Sequence, residues 1–275
     1  MTLPCPVCAT ASPLEHRAAP AAIYRCPACD HAFSDPASIR APESYDPAYY
    51  AKVHKHWFAN PNIPLFQHVA RYLEALGEQP SVLDVGCGKG DFLRYLHATH
   101  PNATLTGIDF SPPAAEGGID YLQGDAASVA LDRTFDLVTT FATIEDPVDV
   151  HRFVRRLRDW CRPGGYLVVM AVNDRSILFA TARLLFRLGL RLPYERLHAT
   201  YHLHHFNRRS LVRLLTSEGL TVVEHHLHNC PLRAVDTPAR SPLVHRLLLI
   251  PVVAMFALGH LTGRTYLQTV VCRRG

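Results

Sequence analysis

Apolar and polar positions fall into blocks that read alternately as strand and helix. Val82-Leu83-Asp84-Val85 is a short apolar run that stops at three glycines two apart, Gly86, Gly88 and Gly90. Phe92, Leu93 and Leu96 then recur at helical spacing. Further strand-like runs follow at 105–108, 119–125, 135–141 and 166–171, the last entered through the turn Pro163-Gly164-Gly165. Between and around them lie helical faces. Over 64–77 the face is Leu65, Phe66, Val69, Tyr72, Leu73 and Leu76, with Gly77 as the stop; over 149–161 it is Val150, Phe153, Val154, Leu157 and Trp160. Strands alternating with helices predict an α/β fold around a parallel sheet.

The second half continues the pattern with two additions. Residues 174–200 form an insertion whose apolar positions suggest a helix, with Arg183, Arg187 and Arg191 four apart. By its pattern it covers core surface. A helix then ends at Gly219, followed by a strand over 220–224. Residues 243–261 are strongly apolar, but His245, Arg246, Pro251 and His260 interrupt the roughly 20 residues that a membrane span needs. A buried helix before a last strand at 266–272 is the expectation, with peripheral membrane contact left open.

The glycine run carries the first chemistry. A strand that ends in glycines and enters a helix places bare backbone and unpaired N–H groups at the carboxyl end of a parallel sheet. A dinucleotide fingerprint wants its third glycine at position 91, which is Asp91. Asp84, just before the first glycine, suits a cationic ligand better than a pyrophosphate. Asp109 closes the next strand, where a carboxylate can accept both hydroxyls of a ribose. The spacing favours S-adenosylmethionine over a nicotinamide dinucleotide, with turn and cap chemistry the alternative at either aspartate.

Cys5-Pro-Val-Cys8 and Cys26-Pro-Ala-Cys29 are separated by 17 residues, a spacing at which four thiolates can meet one structural Zn²⁺. Disulfides or unligated thiols are the alternatives. His31, just beyond, could replace one ligand.

In order and spacing, the segments from Asp84 through Pro163-Gly164-Gly165 resemble the class I S-adenosylmethionine-dependent methyltransferases. The resemblance implies a seven-stranded Rossmann-like sheet with helices on both faces over 64–275. An N-terminal zinc ribbon (1–34) and a connector or lid (35–63) would precede it. It also implies roles. Asp84 and Gly86 would face the methionine amino group, with Gly88 and Gly90 opening the loop to the cofactor. Asp109 would hold the ribose, Asp125 the adenine amino group and Ala126 the adenine ring, while Phe141 and Ala142 would pass the sulfonium. Similar enzymes lay an aromatic segment over the cofactor mouth, which points to Tyr49 and Tyr50; packing between ribbon and core is the alternative. For the insertion at 174–200 the resemblance implies instead an apolar roof with basic edges over a substrate pocket. A His-Leu pair ahead of a polar turn and a Ser-Leu helix start matches His202, a candidate substrate contact or general base; a hydrogen bond within its own loop is the alternative. Close relatives often carry Glu-His after the fourth strand, whereas this chain has Glu145-Asp146. Asp146 could serve as a substitute base or as a helix cap, and the cap is favoured.

Composition changes this picture little. The 275 residues are 48% hydrophobic and 19% charged with a net charge of +4, too modest to argue for nucleic acid. The opening residues lack a basic-then-apolar secretory pattern, so a cytoplasmic location is expected. The arginines of 149–161 read as a solvated face. The function expected is O-methylation of a small-molecule, lipid-linked or sugar-linked acceptor. A ribosomal-RNA base methyltransferase that recognises RNA through the ribbon, and a non-catalytic cofactor-binding scaffold, are the alternatives.

Overall fold

The computed structural model describes residues 2–18, 21–39, 55–115, 117–198, 202–237 and 241–275. Tyr49 and Tyr50 lie outside them.

The chain opens with four short antiparallel strands, β1 (Thr2–Pro4), β2 (Ala11–Ala18), β3 (Ala21–Arg25) and β4 (Ala32–Ser34). One turn is built twice: Ala9 N–H donates to Cys5 O and Asp30 N–H to Cys26 O, and Ala9 and Asp30 both take left-handed backbone angles, φ 58° and 62°. A fifth strand completes this sheet from far along the chain. β10 (His204–His205) pairs with β4, His204 opposite Phe33 and His205 opposite Ala32.

The large sheet contains β5 (Ser81–Val85), β6 (Thr104–Asp109), β7 (Ile119–Gln123), β8 (Phe135–Phe141), β9 (Cys161–Val172), β11 (Leu220–His228) and β12 (Leu267–Arg274). Its order is β11-β12-β9-β8-β5-β6-β7, and β12 runs antiparallel to both its neighbours. The chain order reverses between β5 and β8. Their carboxyl ends therefore open a crevice at the switch point, where such sheets hold ligands.

Helices cover both faces: α1 (Lys55–Ala59), α2 (Ile63–Ala70), α3 (Asp91–Thr99), α4 (Val150–Trp160), α5 (Ile177–Arg187), α6 (Leu192–Leu197), α7 (Arg208–Ser217) and α8 (Pro242–Thr262). One core joins α4, α7 and the first sheet, so Tyr24 and Phe33 belong to the same apolar body as Val154, Leu157 and Leu211. A second core lies under α2, α3 and α8, and a smaller cluster joins Ile23, Ala32, Ala182 and Tyr194. The amino-terminal sheet thus packs as part of the main core.

Four expectations change. The helix over 64–77 is α2 followed by a tighter turn, Arg71–Ala75. Asp149, whose side chain accepts from Arg152 N, caps α4, so Asp146 is not that cap. Arg183 is not a basic edge of the insertion: it is buried and donates to Asp174 at 2.9 Å. The helix over 243–261 forms, but it is not buried. Leu243, Leu247, Ile250 and Leu261 are 55–85% exposed, because periodicity records which residues are apolar and not what covers them. The arginines of α4 are partly engaged: Arg156 lies over the Trp160 ring and Arg155 pairs with Glu218.

Candidate active site

Gly86, Gly88 and Gly90 all take left-handed angles, φ 75°, 54° and 74°, as the chain leaves β5. A Cβ on Gly86 would overlap Thr143, and one on Gly90 would overlap Tyr121. Only glycine permits this close course, which leaves the backbone bare beside the crevice. Asp84, at the end of β5, is 2% exposed and accepts from Thr139 Oγ1 at 2.7 Å. Burial raises its pKa to about 7, against the Thr139 hydrogen bond and with a further push from Asp109. The Asp109 carboxylate braces the loop by accepting from Gly88 N–H at 2.9 Å and Ser111 N–H at 3.0 Å.

A cleft of about 680 Å³ lies over this loop, lined by Trp57, Phe58, Asp84, Gly86, Gly88 and Phe141 among others. Trp57 and Phe58 come from α1, a few residues beyond the two tyrosines singled out in the sequence. The run His56-Trp57-Phe58 was the signal for them. Asp125 and Ala126 sit on the turn after β7 and do not line this cleft; Asp125 is exposed and accepts from Ala127 N–H.

A second cleft, about 850 Å³, shares Trp57 and Phe58 with the first. Its wall includes Ala142, Glu145, Phe179, Arg196, His202 and Tyr266. The two clefts meet where β8 ends, with Phe141 lining one and Ala142 the other. Ala142 takes φ 53°, an uncommon angle for a residue with a Cβ and one that concentrates at functional sites.

His202 lines this second cleft, and Asp146 stands behind it, Nδ1 to Oδ1 at 2.8 Å. An ionised carboxylate only accepts, so the proton sits on Nδ1 and Nε2 is the nitrogen that titrates. Burial disfavours the imidazolium, but the hydrogen bond and charge of Asp146, with Glu145 behind them, outweigh it and raise the pKa above its ordinary value. Glu145 was not singled out in the sequence. Its Oε1 accepts from Val172 N–H at 2.8 Å, while Oε2 is buried with no hydrogen-bond partner among the described residues. Burial raises its pKa to about 7, with His202 and Val172 N–H opposing. The Glu145 backbone carbonyl also accepts from Leu203 and His204, both at 2.9 Å, which fixes the His202 loop beside β8.

The remaining support comes from the amino-terminal sheet. Ser34 Oγ donates to His202 O, His31 Nε2 lies 3.2 Å from His204 Nδ1, and Asn207 Nδ2 donates to Asp30 O. His31 therefore turns toward His204. Within that sheet the four sulfurs of Cys5, Cys8, Cys26 and Cys29 lie within 4.8 Å of one another. Val7 N–H points to Cys5 Sγ and Cys29 N–H to Cys26 Sγ.

Residues 61–225 match the family described as a methyltransferase domain. The chain belongs to the class I S-adenosylmethionine-dependent methyltransferases. This methyltransferase is 33% identical over 128 residues to a ubiquinone biosynthesis O-methyltransferase of Azorhizobium caulinodans, covering 42% of this chain and 49% of that one. It is 37% identical over 128 residues to a trans-aconitate 2-methyltransferase of Deinococcus radiodurans, covering 41% and 49%. The chain thus spans about half the length of the curated relatives it matches. Among solved structures, the fold resembles a geranyl diphosphate C-methyltransferase of Streptomyces coelicolor A3(2), with TM-score 0.52, 14% identity, and coverage of 88% and 90%. It also resembles an S-adenosylmethionine-dependent methyltransferase of Archaeoglobus fulgidus, with TM-score 0.51, 17% identity, and coverage of 82% and 98%. The methyltransferase's glycine loop fits its cofactor: added Cβ atoms would crowd Gly86 and Gly90, and a buried carboxylate stands at the loop's base.

Proposed function

We propose that this methyltransferase methylates a hydroxyl oxygen of a small-molecule acceptor seated in the second cleft. The observation that carries the proposal is the meeting of the two clefts at Phe141 and Ala142, with the His202–Asp146 pair on the acceptor side. S-adenosylmethionine supplies an already activated methyl group. What remains for the chain is to hold both reactants in line and to accept one proton.

Asp84 and the backbone at Gly86, Gly88 and Gly90 hold the methionine end of the cofactor. Asp109 would hold the ribose, while Asp125 and Ala126, the residues expected at the adenine, lie outside the first cleft. Phe141 and Ala142 flank the point of transfer. His202 Nε2 takes the hydroxyl proton of the acceptor as its oxygen gains the methyl, and Asp146 keeps the imidazole in the required tautomer. Glu145 Oε2 is the second proton acceptor within that wall. Trp57, Phe179 and Tyr266 suit an apolar or aromatic acceptor body, and Arg196 suits an anionic group on it. A lipid-linked or sugar-linked acceptor fits the same wall.

The four cysteines hold a structural zinc. Their sulfurs stand 3.4–3.6 Å apart in the three pairs Cys5–Cys29, Cys8–Cys26 and Cys8–Cys29. A tetrahedral site with Zn–S near 2.3 Å asks for about 3.8 Å between sulfurs. No protein position is left open, so the metal braces the fold and takes no part in transfer. Zinc-ribbon recognition of RNA is the weaker alternative, since this sheet spends its β4 edge and His31 on the core.

The test is incubation with isotopically labelled S-adenosylmethionine and a panel of phenols, carboxylates, amines and ribosomal RNA. An oxygen-linked product about 14 mass units heavier is expected for wild type, and His202→Ala is expected to make it at least a hundredfold more slowly with cofactor affinity retained. Label on RNA or on nitrogen, or no turnover with any acceptor, overturns the reading.

A further inference from the structure

The 21-residue helix α8 is apolar nearly all round. One face packs inward through Leu249, Val252, Phe256 and Gly259. The opposite face carries Leu243, Leu247, Ile250 and Leu261, exposed by 68, 55, 63 and 85%. Only 17% of its most apolar 18-residue window is buried inside the protein, at a mean hydropathy of 1.8. A helix that is hydrophobic on every side is normally covered on every side, and this one is covered on one. Helix α5 packs against α8, and there Leu184 and Leu188 are 57 and 70% exposed.

Charge identifies what covers this face. From Thr237 to Gly275 there is no aspartate or glutamate, and none from Arg175 to Tyr194. The exposed charges beside the leucines are Arg187, Arg191, Arg246 and Arg264. An exposed apolar surface flanked by these arginines is complementary to an anionic lipid bilayer, where the leucines enter the acyl boundary and the guanidinium groups meet phosphates.

We infer that the outer face of α8, with the exposed leucines of α5, docks this methyltransferase flat on an anionic membrane surface.

The topology rules out a spanning helix. His228 and Leu267 are registered partners in β11 and β12, so the whole segment 229–266 leaves and re-enters the sheet at one place. A spanning α8 would put its ends about 30 Å apart on opposite sides of the hydrocarbon. Residues 229–241 would then have to cross as unpaired backbone, which the hydrocarbon does not tolerate. The inward contacts of Val252 and Phe256 would also be lost. An in-plane helix keeps them.

The inference is independent of the acceptor's identity and is tested without turnover. The full chain is mixed with phosphatidylcholine vesicles, with and without phosphatidylglycerol, and bound protein is separated by flotation. Binding to the anionic vesicles, reduced at least tenfold in neutral ones or at 0.5 M salt, is expected. Leu247→Glu with Ile250→Glu is expected to abolish it while S-adenosylmethionine affinity stays at the wild-type value, which shows the fold intact. Arg246→Gln is expected to weaken it about fivefold. No vesicle binding, or equal binding by the double variant, overturns the inference. So does a stable dimer in light scattering that the double variant dissociates while vesicles bind neither form.

Discussion

Arg25 of β3 and Asp174, two residues past β9, form an ion pair at 2.8 Å across the junction of the two sheets. Asp174 is almost wholly buried and also accepts from Arg183 at 2.9 Å. Burial alone would raise its pKa, but His198, Arg25 and Arg183 hold it well below the ordinary carboxylate range. Its contribution to stability is therefore full above the unfolded value near 4, and is lost only as the pH falls through the still lower folded value. Asp174→Ala takes a shared carboxylate from two buried guanidinium groups, leaving Arg25 its Glu15 ion pair and Arg183 its bond to the backbone carbonyl of position 174. A loss of about 3–5 kcal/mol is expected in chemical denaturation, and a smaller loss for Asp174→Asn.

His202 and Asp146 should separate in their kinetics. Asp146→Asn removes the charge that raises the His202 pKa. The basic form then persists to lower pH, so the acidic limb of the kcat profile is expected to move down in pH. Misorientation of the ring lowers the plateau by about tenfold to a hundredfold. A limb that stays in place would mean that another group sets it, and Glu145, with its pKa near 7, is the first to replace, by Glu145→Gln.

Cofactor affinity should depend on pH through Asp84. Its pKa in the unliganded protein is raised to about 7, and it must be ionised to meet a methionine ammonium. Affinity is therefore expected to fall about eightfold between pH 7.5 and pH 6, with a flat response in Asp84→Asn at a uniformly weaker Kd. The sign for stability is opposite. Between pH 4 and 7 the folded protein binds this proton and the unfolded chain does not, so Asp84 alone favours folding more as the solution is acidified.

Gly86→Ala meets two obstacles, the positive φ and the Thr143 side chain. About 1–3 kcal/mol of stability is expected to be lost, together with at least a tenfold weakening of S-adenosylmethionine binding by calorimetry. Gly189, positive in φ with open space around it, is the control. Gly189→Ala should leave cofactor affinity unchanged.

Much of the fold was legible because a parallel sheet buried on both faces writes itself as apolar runs between glycine and proline turns. The run 135–141 coincides with β8, and 82–85 falls one residue short of β5. The glycine loop was legible for the same reason, since the φ values it needs are available to few other residues. The pairing of β10 with β4 was not. Two histidines make no pattern, and their partner lies 171 or 173 positions away. His202 was nominated by motif, but its bond to Asp146 spans 56 positions and competed with a local capping role that Asp149 fills. Glu145 was passed over because its significance is an unpaired oxygen, and that is a property of the folded wall.

The strand β10 gives the cysteine cluster a reach beyond its own turns. Because His204 and His205 are stitched to Phe33 and Ala32, slack introduced at the thiolates would be transmitted to the loop that carries His202. Removal of the proposed zinc by a chelator is therefore expected to slow transfer before it weakens S-adenosylmethionine binding. The small amino-terminal lobe would act as a tensioner for the reaction chamber.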